Sequence, residues 1–480
     1  MNKVFSTIAF LLCASSLCAA VPEIVSGSVS LSKSISNDVV EIAYTLTGEP
    51  AVVTIDIQTN TVQDASGDWV SIGGEGIGLL GGEANKIVRT LDVPSKAYWF
   101  APVLFEDRVV TSGGIRAEVT AWPTNCPPDY MTIDLTAPTS TVCAIRFYTS
   151  TNALPGGFAN LDYKTTTLLM RKIPAAGVVW WMGGPSTQSG YRRWDVCHKV
   201  MLTEDYYAAV YETTQAQYKN INGSLGNLCA FTRYTDSYIR PFQQAQCSVL
   251  RGMNNTSMAY YWPENGHTVS ATSVIGKLRQ KCGIADIDLP TDAQWEYACR
   301  AGTGTALPSG KSYSDSNLKE AAWCDLNTSD SPTIAATGET INQNMPHVVG
   351  LKPPNNWGLY DMVGNVFEFC LDRFDGSTDW SEKDNASQIT EKVANYTATF
   401  TPGWDDAESP SITTNPVGVT TTDVKSITKR GGAWRDSRDR CWSGARTSAG
   451  ITYTDGYSNG DGGRGYIGFR LFCSVKEAVK

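Results

Sequence analysis

Histidine is scarce in this chain of 480 residues, which contains only His198, His267 and His347. The three are far apart in the sequence and form neither an HxH nor an HxxxH pair. Non-haem iron sites draw mainly on histidine and carboxylate ligands, and most nucleophilic triads use a histidine base. The sequence therefore gives no local support to either kind of site.

Three other classes of function lack their usual signal. Charged residues make up 18% of the chain and the net charge is −9, which argues against nucleic acids and anionic membrane surfaces as partners. No CxxC motif is present, so neither a zinc ribbon nor a thioredoxin-like site is indicated. After residue 20, no apolar run approaches the roughly 20 residues that a transmembrane helix needs.

Residues 1–20 have the pattern of a secretory signal peptide. Lys3 supplies the charged start, residues 8–13 supply the apolar run, and small residues at 19 and 20 suit cleavage. The pattern predicts a protein that is secreted, periplasmic or attached to the cell surface. Eleven cysteines follow this segment, and an oxidising compartment can convert some of them into disulfides. Because eleven is odd, at least one lacks an intrachain partner.

Residues 21–122 are predicted to form an all-β sandwich. Apolar residues alternate with other residues at 40–46, at 53–57 and at 115–121, and a period of two is typical of half-buried strands. Turn-forming residues separate these runs, as in immunoglobulin or fibronectin sandwiches. A second β-rich stretch, residues 123–160, begins with PTNCPP and either completes the sandwich or serves as a connector.

Residues 161–480 are predicted to form a loop-rich α+β domain. Capping boxes at 214–217 and 291–294 begin two short helices, and apolar residues at 274–278 indicate a third. Residues 375–428 are rich in Ser, Thr, Asp and Asn, which indicates a long insertion. This insertion either lines a cleft as a surface excursion or is a mobile loop.

Residues 353–374 are rich in apolar side chains and read PPNNWGLYDMVGNVFEFCLDRF. Asp361 and Glu368 lie among these apolar residues, where a carboxylate needs a cation or several N–H donors as partners. Two other blocks carry further motifs. Residues 289–302 read LPTDAQWEYACRAG, and residues 430–446 read RGGAWRDSRDRCWSGAR, with GFR at 468–470. Together these blocks resemble the formylglycine-generating enzymes, also called sulfatase-modifying factors. The resemblance covers about the last two thirds of the chain and implies a variant of the C-type-lectin fold.

The resemblance implies a calcium site. In the family, residues matching Asp361, Gly364, Val366 and Glu368 bind a structural Ca²⁺ through the two outer side chains and the two inner carbonyls. Calcium takes six to eight hard oxygen ligands, so this set is chemically suitable. The alternative is that Asp361 caps a turn and Glu368 pairs with an arginine. The family's other calcium site does not transfer to this sequence.

The resemblance also implies a redox site, from which this chain departs. A family oxidase binds copper through two cysteines after its RGGS motif and uses O₂ to convert a cysteine of a partner sulfatase to formylglycine. Those two positions are Asp436 and Cys441 here, Ala433 replaces the serine, and Phe367 replaces a tryptophan. One thiolate beside a carboxylate suits the soft ion Cu(I) poorly. Cys441 is the one candidate catalytic residue, and Cys370 is a candidate partner for it.

Arginine and tryptophan are abundant in the segment where family members hold their substrate, and both residue types are enriched at recognition sites. The predicted cleft consists of Trp434, Arg435, Asp436, Arg438, Asp439, Arg440 and Trp442. The alternative is that Arg430, Arg446 and Arg470 are buried and paired with Asp361, Glu368 or Asp372. We expect this for Arg430 and Arg470, whereas the roles of Arg435, Arg438 and Arg440 stay open.

The sequence therefore predicts an exported, diverged member of this family. The leading hypothesis is a non-catalytic module, stabilised by calcium, whose loop-built cleft binds a peptide, a protein or a glycan. The alternative is a copper- and O₂-dependent oxidase that acts on a partner sulfatase.

Overall fold

The computed structural model describes most of the chain. The described residues are 21–33, 39–60, 68–100, 114–137, 145–184, 188–192, 195, 197–226, 236–252, 268–328, 345–374, 412–416, 426–435, 437–450 and 465–480. The predicted signal peptide and Asp436 lie outside these ranges.

Short strands dominate the described part. They are β1 (Glu23–Ile24), β2 (Ser30–Lys33), β3 (Val39–Thr47), β4 (Ala51–Asn60), β5 (Trp69–Ser71), β6 (Leu79–Gly82), β7 (Lys86–Val88), β8 (Pro94–Phe100), β9 (Ile115–Pro123), β10 (Tyr130–Asp134), β11 (Ile145–Tyr148), β12 (Thr167–Ile173), β13 (Val179–Met182), β14 (His198–Met201), β15 (Tyr206–Ala209), β16 (Phe367–Arg373), β17 (Thr413–Thr414), β18 (Ser426–Arg430), β19 (Arg446–Gly450), β20 (Ile467–Gly468) and β21 (Phe472–Ser474). The α-helices are α1 (Gly73–Ile77), α2 (Gln215–Asn222), α3 (Cys247–Leu250), α4 (Val274–Cys282), α5 (Asp292–Arg300), α6 (Asp315–Ala321) and α7 (Val475–Ala478). Short 3₁₀ helices span Thr151–Ala153, Leu161–Lys164, Ser237–Ile239 and Arg438–Arg440.

Two antiparallel sheets share one apolar core in the N-terminal part. One sheet has the order β1-β3-β8-β6 with β2 also on β3, and the other has the order β5-β4-β7 with β9 also on β4. Every second residue of β3 is buried, from Val40 to Leu46, and these side chains pack with those of β4. The predicted alternation is confirmed in β3, whereas residues 51–55 of β4 are buried on both faces because Val52 packs in the neighbouring core. The immunoglobulin or fibronectin type stays a prediction.

The β-rich stretch after residue 123 extends the central sheet of the C-terminal domain. β10 pairs antiparallel with β12, and β11 pairs with β10, which gives the order β11-β10-β12-β15-β21. Val52 of β4 belongs to the core beneath this sheet, and the Phe147 N–H donates to the Asn85 carbonyl over 2.7 Å. The stretch therefore joins the domain that follows it, and the N-terminal sheets dock against it.

A second sheet brings the sequence blocks together. It has the order β19-β18-β16-β20, and every residue of β16 is buried. Glu368 on β16 lies opposite Arg430 on β18 and Gly468 on β20. The GLYDMVGNVFEF, RGG and GFR blocks thus meet at this sheet, with α5 packed beside it.

The predicted helix starts are confirmed. The Thr291 hydroxyl accepts from the Gln294 N–H over 3.2 Å while the Gln294 side chain accepts from the Thr291 N–H, and Thr214 makes the same capping box with Gln217. Ser273 caps the third helix, α4. These reciprocal bonds satisfy donors that the first turn of a helix leaves without partners.

Most of the predicted insertion, residues 375–411 and 417–425, lies outside the described residues. Its end is more regular than predicted, because β17 pairs in parallel with β14 and β18 already begins at Ser426. In the ranges given above, none of the helices combines the length and apolar character required to cross a membrane.

Candidate functional site

A buried ion network joins α5 to the RGG block. Arg430 is fully buried and contacts Asp292, and it also donates to Glu296 Oε2 over 2.9 Å. Arg446 donates to Asp292 Oδ2 over 2.6 Å, and Arg300 donates to Glu296 Oε1 over 2.8 Å. Two carboxylates on one helix are thereby paired with three guanidinium groups, which fixes the RGG block against α5.

This network corrects one expectation from the sequence. Arg430 was expected to pair with Asp361, Glu368 or Asp372, but its partners are Asp292 and Glu296. The reason is that α5 packs against β18, and Asp292 and Glu296 lie one turn apart on it, so both carboxylates reach the same guanidinium group.

Arg470 does pair with Glu368, as the sequence predicted. Its Nη2 lies 2.7 Å from Glu368 Oε1, and its Nε lies 3.0 and 3.1 Å from the two carboxylate oxygens. Trp295 Nε1 donates to Glu368 Oε2 over 2.6 Å. The carboxylate is therefore held by a cation and an indole N–H inside the core.

The GLYDMVGNV turn depends on backbone conformations that favour glycine and asparagine. Gly364 has a φ of +83°, and a Cβ there would lie 2.4 Å from the Trp323 carbonyl oxygen. Asn365 has a φ of +57°, and its amide donates to Glu212 Oε2 over 2.7 Å. Glu212 also accepts from the Val366 N–H over 3.1 Å. A buried carboxylate from outside the motif thus holds the turn.

The four residues predicted to bind calcium lie on this turn and on β16. Asp361 Oδ2 accepts from the Gly350 N–H over 2.6 Å, and Asp361 also lines a cavity of about 30 Å³. Burial raises the pKa of Asp361 to about 6, although Lys164 and Arg470 act in the opposite direction. Asp361 thus accepts a backbone N–H beside a small cavity, whereas Glu368 already shares both oxygens with Arg470 and Trp295. Calcium binding stays a prediction.

The two tryptophans of the predicted cleft are part of the core. Trp434 is 5% exposed, and its Nε1 donates to the Gly465 carbonyl over 3.1 Å. Trp442 is 1% exposed, and a Cβ on Gly444 would lie 2.4 Å from its ring. The structure places both indoles beneath the segment, where a bound partner would not reach them. Aromatic composition alone does not say which way a ring points.

Three arginines of the same segment face outwards. We call Arg435, Arg438 and Arg440 the arginine surface. Arg435 and Arg440 are exposed, and the Arg435 guanidinium lies 5.6 Å from the centre of the Trp434 ring. Arg438 forms an exposed ion pair with Asp315. The surface therefore exposes guanidinium groups at its two ends, and one of them, that of Arg435, lies over a buried aromatic ring.

Cys441 is fully buried just after the 3₁₀ helix Arg438–Arg440. The side chain brought to it is that of Cys324, and a hydrogen bond from Cys441 lowers the pKa of the Cys324 thiol. Cys370, the partner considered from the sequence, is buried on β16, and burial raises the pKa of its thiol. Ala433 is also buried, and Asp436 lies outside the described residues.

The two histidines in the described ranges, His198 and His347, are buried. His347 is buried, stacks on Trp323 with ring centres 3.8 Å apart, and contacts the Thr328 carbonyl over 3.2 Å through Nε2. Burial lowers its pKa to about 3. Within the described part, no three His, Cys, Asp or Glu residues are grouped so that they could hold a metal ion.

Sequence reasoning missed Cys324 and Glu212 as members of this region. Glu212 precedes the capping box of α2, and a glutamate among apolar and hydroxyl residues was a signal of a buried, paired carboxylate. Cys324 had no such signal, because only the tertiary fold brings it to Cys441.

Comparisons with known proteins agree with these blocks. The model of the sulfatase-modifying factor enzyme 1-like domain matches residues 166–472, more than half of the chain. The formylglycine-generating enzyme of Mus musculus is 23% identical over 301 residues, which are 57% of this chain and 68% of that enzyme. The chaperone protein LppX of Paenibacillus barcinonensis is 27% identical over 189 residues, which are 36% of this chain and 64% of LppX. The chain thus spans about two thirds of the length of these relatives.

Among solved structures, the chain is similar to Treponema denticola variable protein 1, with a TM-score of 0.39 and 20% identity over 64% of this chain and 95% of that one. PvdO from Pseudomonas aeruginosa gives a TM-score of 0.40 and 18% identity over 64% of this chain and 94% of that one. Both scores are low, so membership rests on the sequence match. Through its C-terminal two thirds, the chain belongs to the sulfatase-modifying factor family, that of the formylglycine-generating enzymes.

Proposed function

We propose that this protein is an exported, non-catalytic member of the family whose arginine surface binds an anionic group on a peptide, a protein or a glycan. One observation carries the proposal. At the segment where family members hold their substrate, Arg435 and Arg440 are exposed, whereas Cys441, the residue at a redox position, is fully buried. The exposed functional groups of this segment are therefore mainly guanidinium groups.

Guanidinium groups match carboxylates and sulfates through paired N–H donors. The buried Trp434 and Trp442 give the surface a rigid base, which reduces the entropy lost on binding. Arg435 and Arg440 are the two most exposed members of the arginine surface, so an incoming ligand reaches them first.

An acidic peptide and a sulfated oligosaccharide test the proposal. We expect the double substitution Arg435→Ala and Arg440→Ala to weaken binding of the preferred probe by about tenfold, since hydrogen bonds to charged groups contribute about 1.5–3 kcal/mol each before solvent screening. Binding should also weaken as salt is added. Titration calorimetry of both probes measures both effects.

Arg116→Ala is the matched control. Arg116 is also exposed and lies 4.6 Å from the ring centre of Trp69, but it belongs to the N-terminal part. Equal losses in this control and in the double variant, or no binding of either probe to the wild type, would contradict the proposal.

Calcium is proposed to stabilise this module through Asp361, Gly364, Val366 and Glu368. What supports it is an excess of buried negative charge, because the charges of Asp361 and Glu368 add to burial in raising the pKa of Glu212. A divalent cation at Asp361 would offset that excess, with Glu368 shared between the ion and Arg470.

We therefore expect calcium to raise the melting temperature relative to a sample treated with a chelator. At a calcium concentration one hundred times the dissociation constant, the gain is about 2.7 kcal/mol. Differential scanning calorimetry measures it, with magnesium as the control ion. Identical melting curves with calcium and with chelator would count against a calcium site.

The copper-dependent oxidase is the second candidate, and one observation favours it. Cys324 supplies Cys441 with the second thiol that the RGG block lacks, and two thiolates are the ligands that Cu(I) prefers. Cys324 and Cys441 would hold the ion, and the bound ion would supply O₂ chemistry.

The leading proposal predicts no tight Cu(I) binding and no O₂ uptake with a cysteine-containing peptide. Competition with a Cu(I) chelator and an oxygen electrode measure the two quantities. Tight binding that is lost in both Cys324→Ser and Cys441→Ser, together with uptake that depends on the peptide, would establish the oxidase instead.

A further inference from the structure

Cys324 and Cys441 lie more than one hundred residues apart in the sequence, yet their side chains are hydrogen-bonded. Cys324 follows α6 in a tight turn, in which its N–H donates to Asn327 Oδ1 over 3.0 Å and its carbonyl accepts from the Asn327 N–H over 3.1 Å. The Cys441 N–H donates to the Arg438 carbonyl over 2.9 Å. Both backbones are thus fixed by local hydrogen bonds, and the contact between the thiols does not depend on a loose loop.

The surroundings leave the Cys441 sulfur little freedom to turn away. A Cβ on Gly432 would lie 2.4 Å from Cys441 Sγ, and that glycine has a φ of +77°. Tyr313 lies near both thiols, and its hydroxyl donates to the Arg438 carbonyl. Both cysteines are fully buried. The two thiols are therefore in contact with each other and shielded from solvent.

Cys324 also differs chemically from the other buried cysteines. Burial raises the pKa of the thiols of Cys197, Cys299 and Cys473, whereas the hydrogen bond from Cys441 lowers that of Cys324. The pairing itself depends on geometry, namely the contact between the two thiols and the hydrogen bonds that fix both backbones.

We propose that Cys324 and Cys441 form a disulfide when the protein folds in an oxidising compartment. The Cys324 thiolate attacks a small-molecule disulfide and forms a mixed disulfide, releasing one thiol. The Cys441 sulfur then attacks Cys324 Sγ, which forms the Cys324–Cys441 bond and releases the second thiol. The two cysteines lose two protons and two electrons, and the oxidant is reduced to two thiols.

The bond joins the turn after α6 to the residue that directly follows the arginine surface. It closes a loop of more than one hundred residues, and long loops give the largest entropic stabilisation in the chain-entropy account. It also removes both thiols from soft-metal binding, so the oxidised protein would not take up Cu(I). The proposal does not depend on the ligand of the arginine surface.

Peptide mapping of the full chain tests the proposal. The protein is equilibrated in a buffer of reduced and oxidised glutathione, its thiols are blocked with N-ethylmaleimide under denaturing conditions, and it is digested without reduction. We expect a peptide that links Cys324 to Cys441, and we expect it to disappear after reduction. Cys126→Ser, which removes an exposed thiol, is the matched control and should retain the link.

Thermal unfolding gives a second measurement. Reduction should lower the melting temperature of the wild type by about 5 °C or more. The double variant Cys324→Ser and Cys441→Ser should show no such decrease. If that variant does not fold, the peptide map of the wild type still decides the question. Both cysteines carrying N-ethylmaleimide after equilibration, or either one linked to Cys370, would overturn the proposal.

Discussion

The substitution Arg470→Met should lower the free energy of unfolding by about 3–5 kcal/mol, the usual cost of breaking a buried ion pair from one side. Arg470 is fully buried, and all five of its N–H donors have acceptors. Two of the donor groups hold Glu368, and the others reach the carbonyls of Ala209, Val210 and Tyr360 at 2.8–2.9 Å. Methionine fills a similar volume but offers no donor, so Glu368 would keep only the indole N–H of Trp295.

Chemical denaturation measures this loss, and Arg438→Met is its control. Arg438 makes a single ion pair with Asp315, and both side chains are about half exposed. Exposed pairs contribute about 0–1 kcal/mol. Equal effects at the two positions would show that burial does not determine the cost.

The loss of stability expected for an Arg470 variant bears on function because this side chain contacts three parts of the domain. It connects the GFR block to β16, to the segment after β15 and to Tyr360 in the GLYDMVGNV turn. A functional assay of an Arg470 variant therefore reports on the fold of the site, whereas variants of Arg435 and Arg440 report on its exposed chemistry.

Local signals in the sequence were sufficient for several features of the structure. The capping boxes at Thr214 and Thr291 form as predicted because each involves residues three apart, and the alternation in β3 marks its buried face. That Glu368 needs a partner followed from the rule for carboxylates in apolar segments, although the sequence left open whether the partner is calcium or one of three arginines. Each of these features depends either on residues close together in the sequence or on the general requirement that buried charges are paired.

Other features depend on tertiary contacts that no local pattern specifies. The alternation of β10 indicated a strand but not its neighbour, and that neighbour proved to be β12 of the following domain. Trp434 and Trp442 have the composition of a recognition site, yet both are buried. The contact between Cys324 and Cys441 needs the turn after α6 and the RGG block to be in place at once.

Stability should also depend on pH through two buried aspartates. Burial raises the pKa of Asp372 to about 8, with the charge of Asp292 acting in the same direction and Arg446 and Arg430 opposing it. Burial likewise raises the pKa of Asp195 to about 7. Aspartate in an unfolded chain has a pKa near 3.9. Between that value and the folded value, the native state binds more protons than the unfolded state, so stability falls as the pH rises.

The variant Asp372→Asn isolates this effect, because asparagine resembles the protonated carboxyl in shape and carries no charge. At pH values well below 8, the stability of the variant relative to the wild type should increase by about 1.4 kcal/mol per pH unit. The increase becomes smaller near pH 8, where Asp372 is half ionised, so the total from pH 6 to pH 8 is about 2 kcal/mol. His347, whose pKa is lowered, is unchanged in both proteins and cancels in the comparison. Urea unfolding across this range measures the difference, with Asp92→Asn, an exposed position in the loop between β7 and β8, as the control. A constant difference between Asp372→Asn and the wild type would mean that Asp372 is already ionised at pH 6, and that Arg430 and Arg446 outweigh its burial.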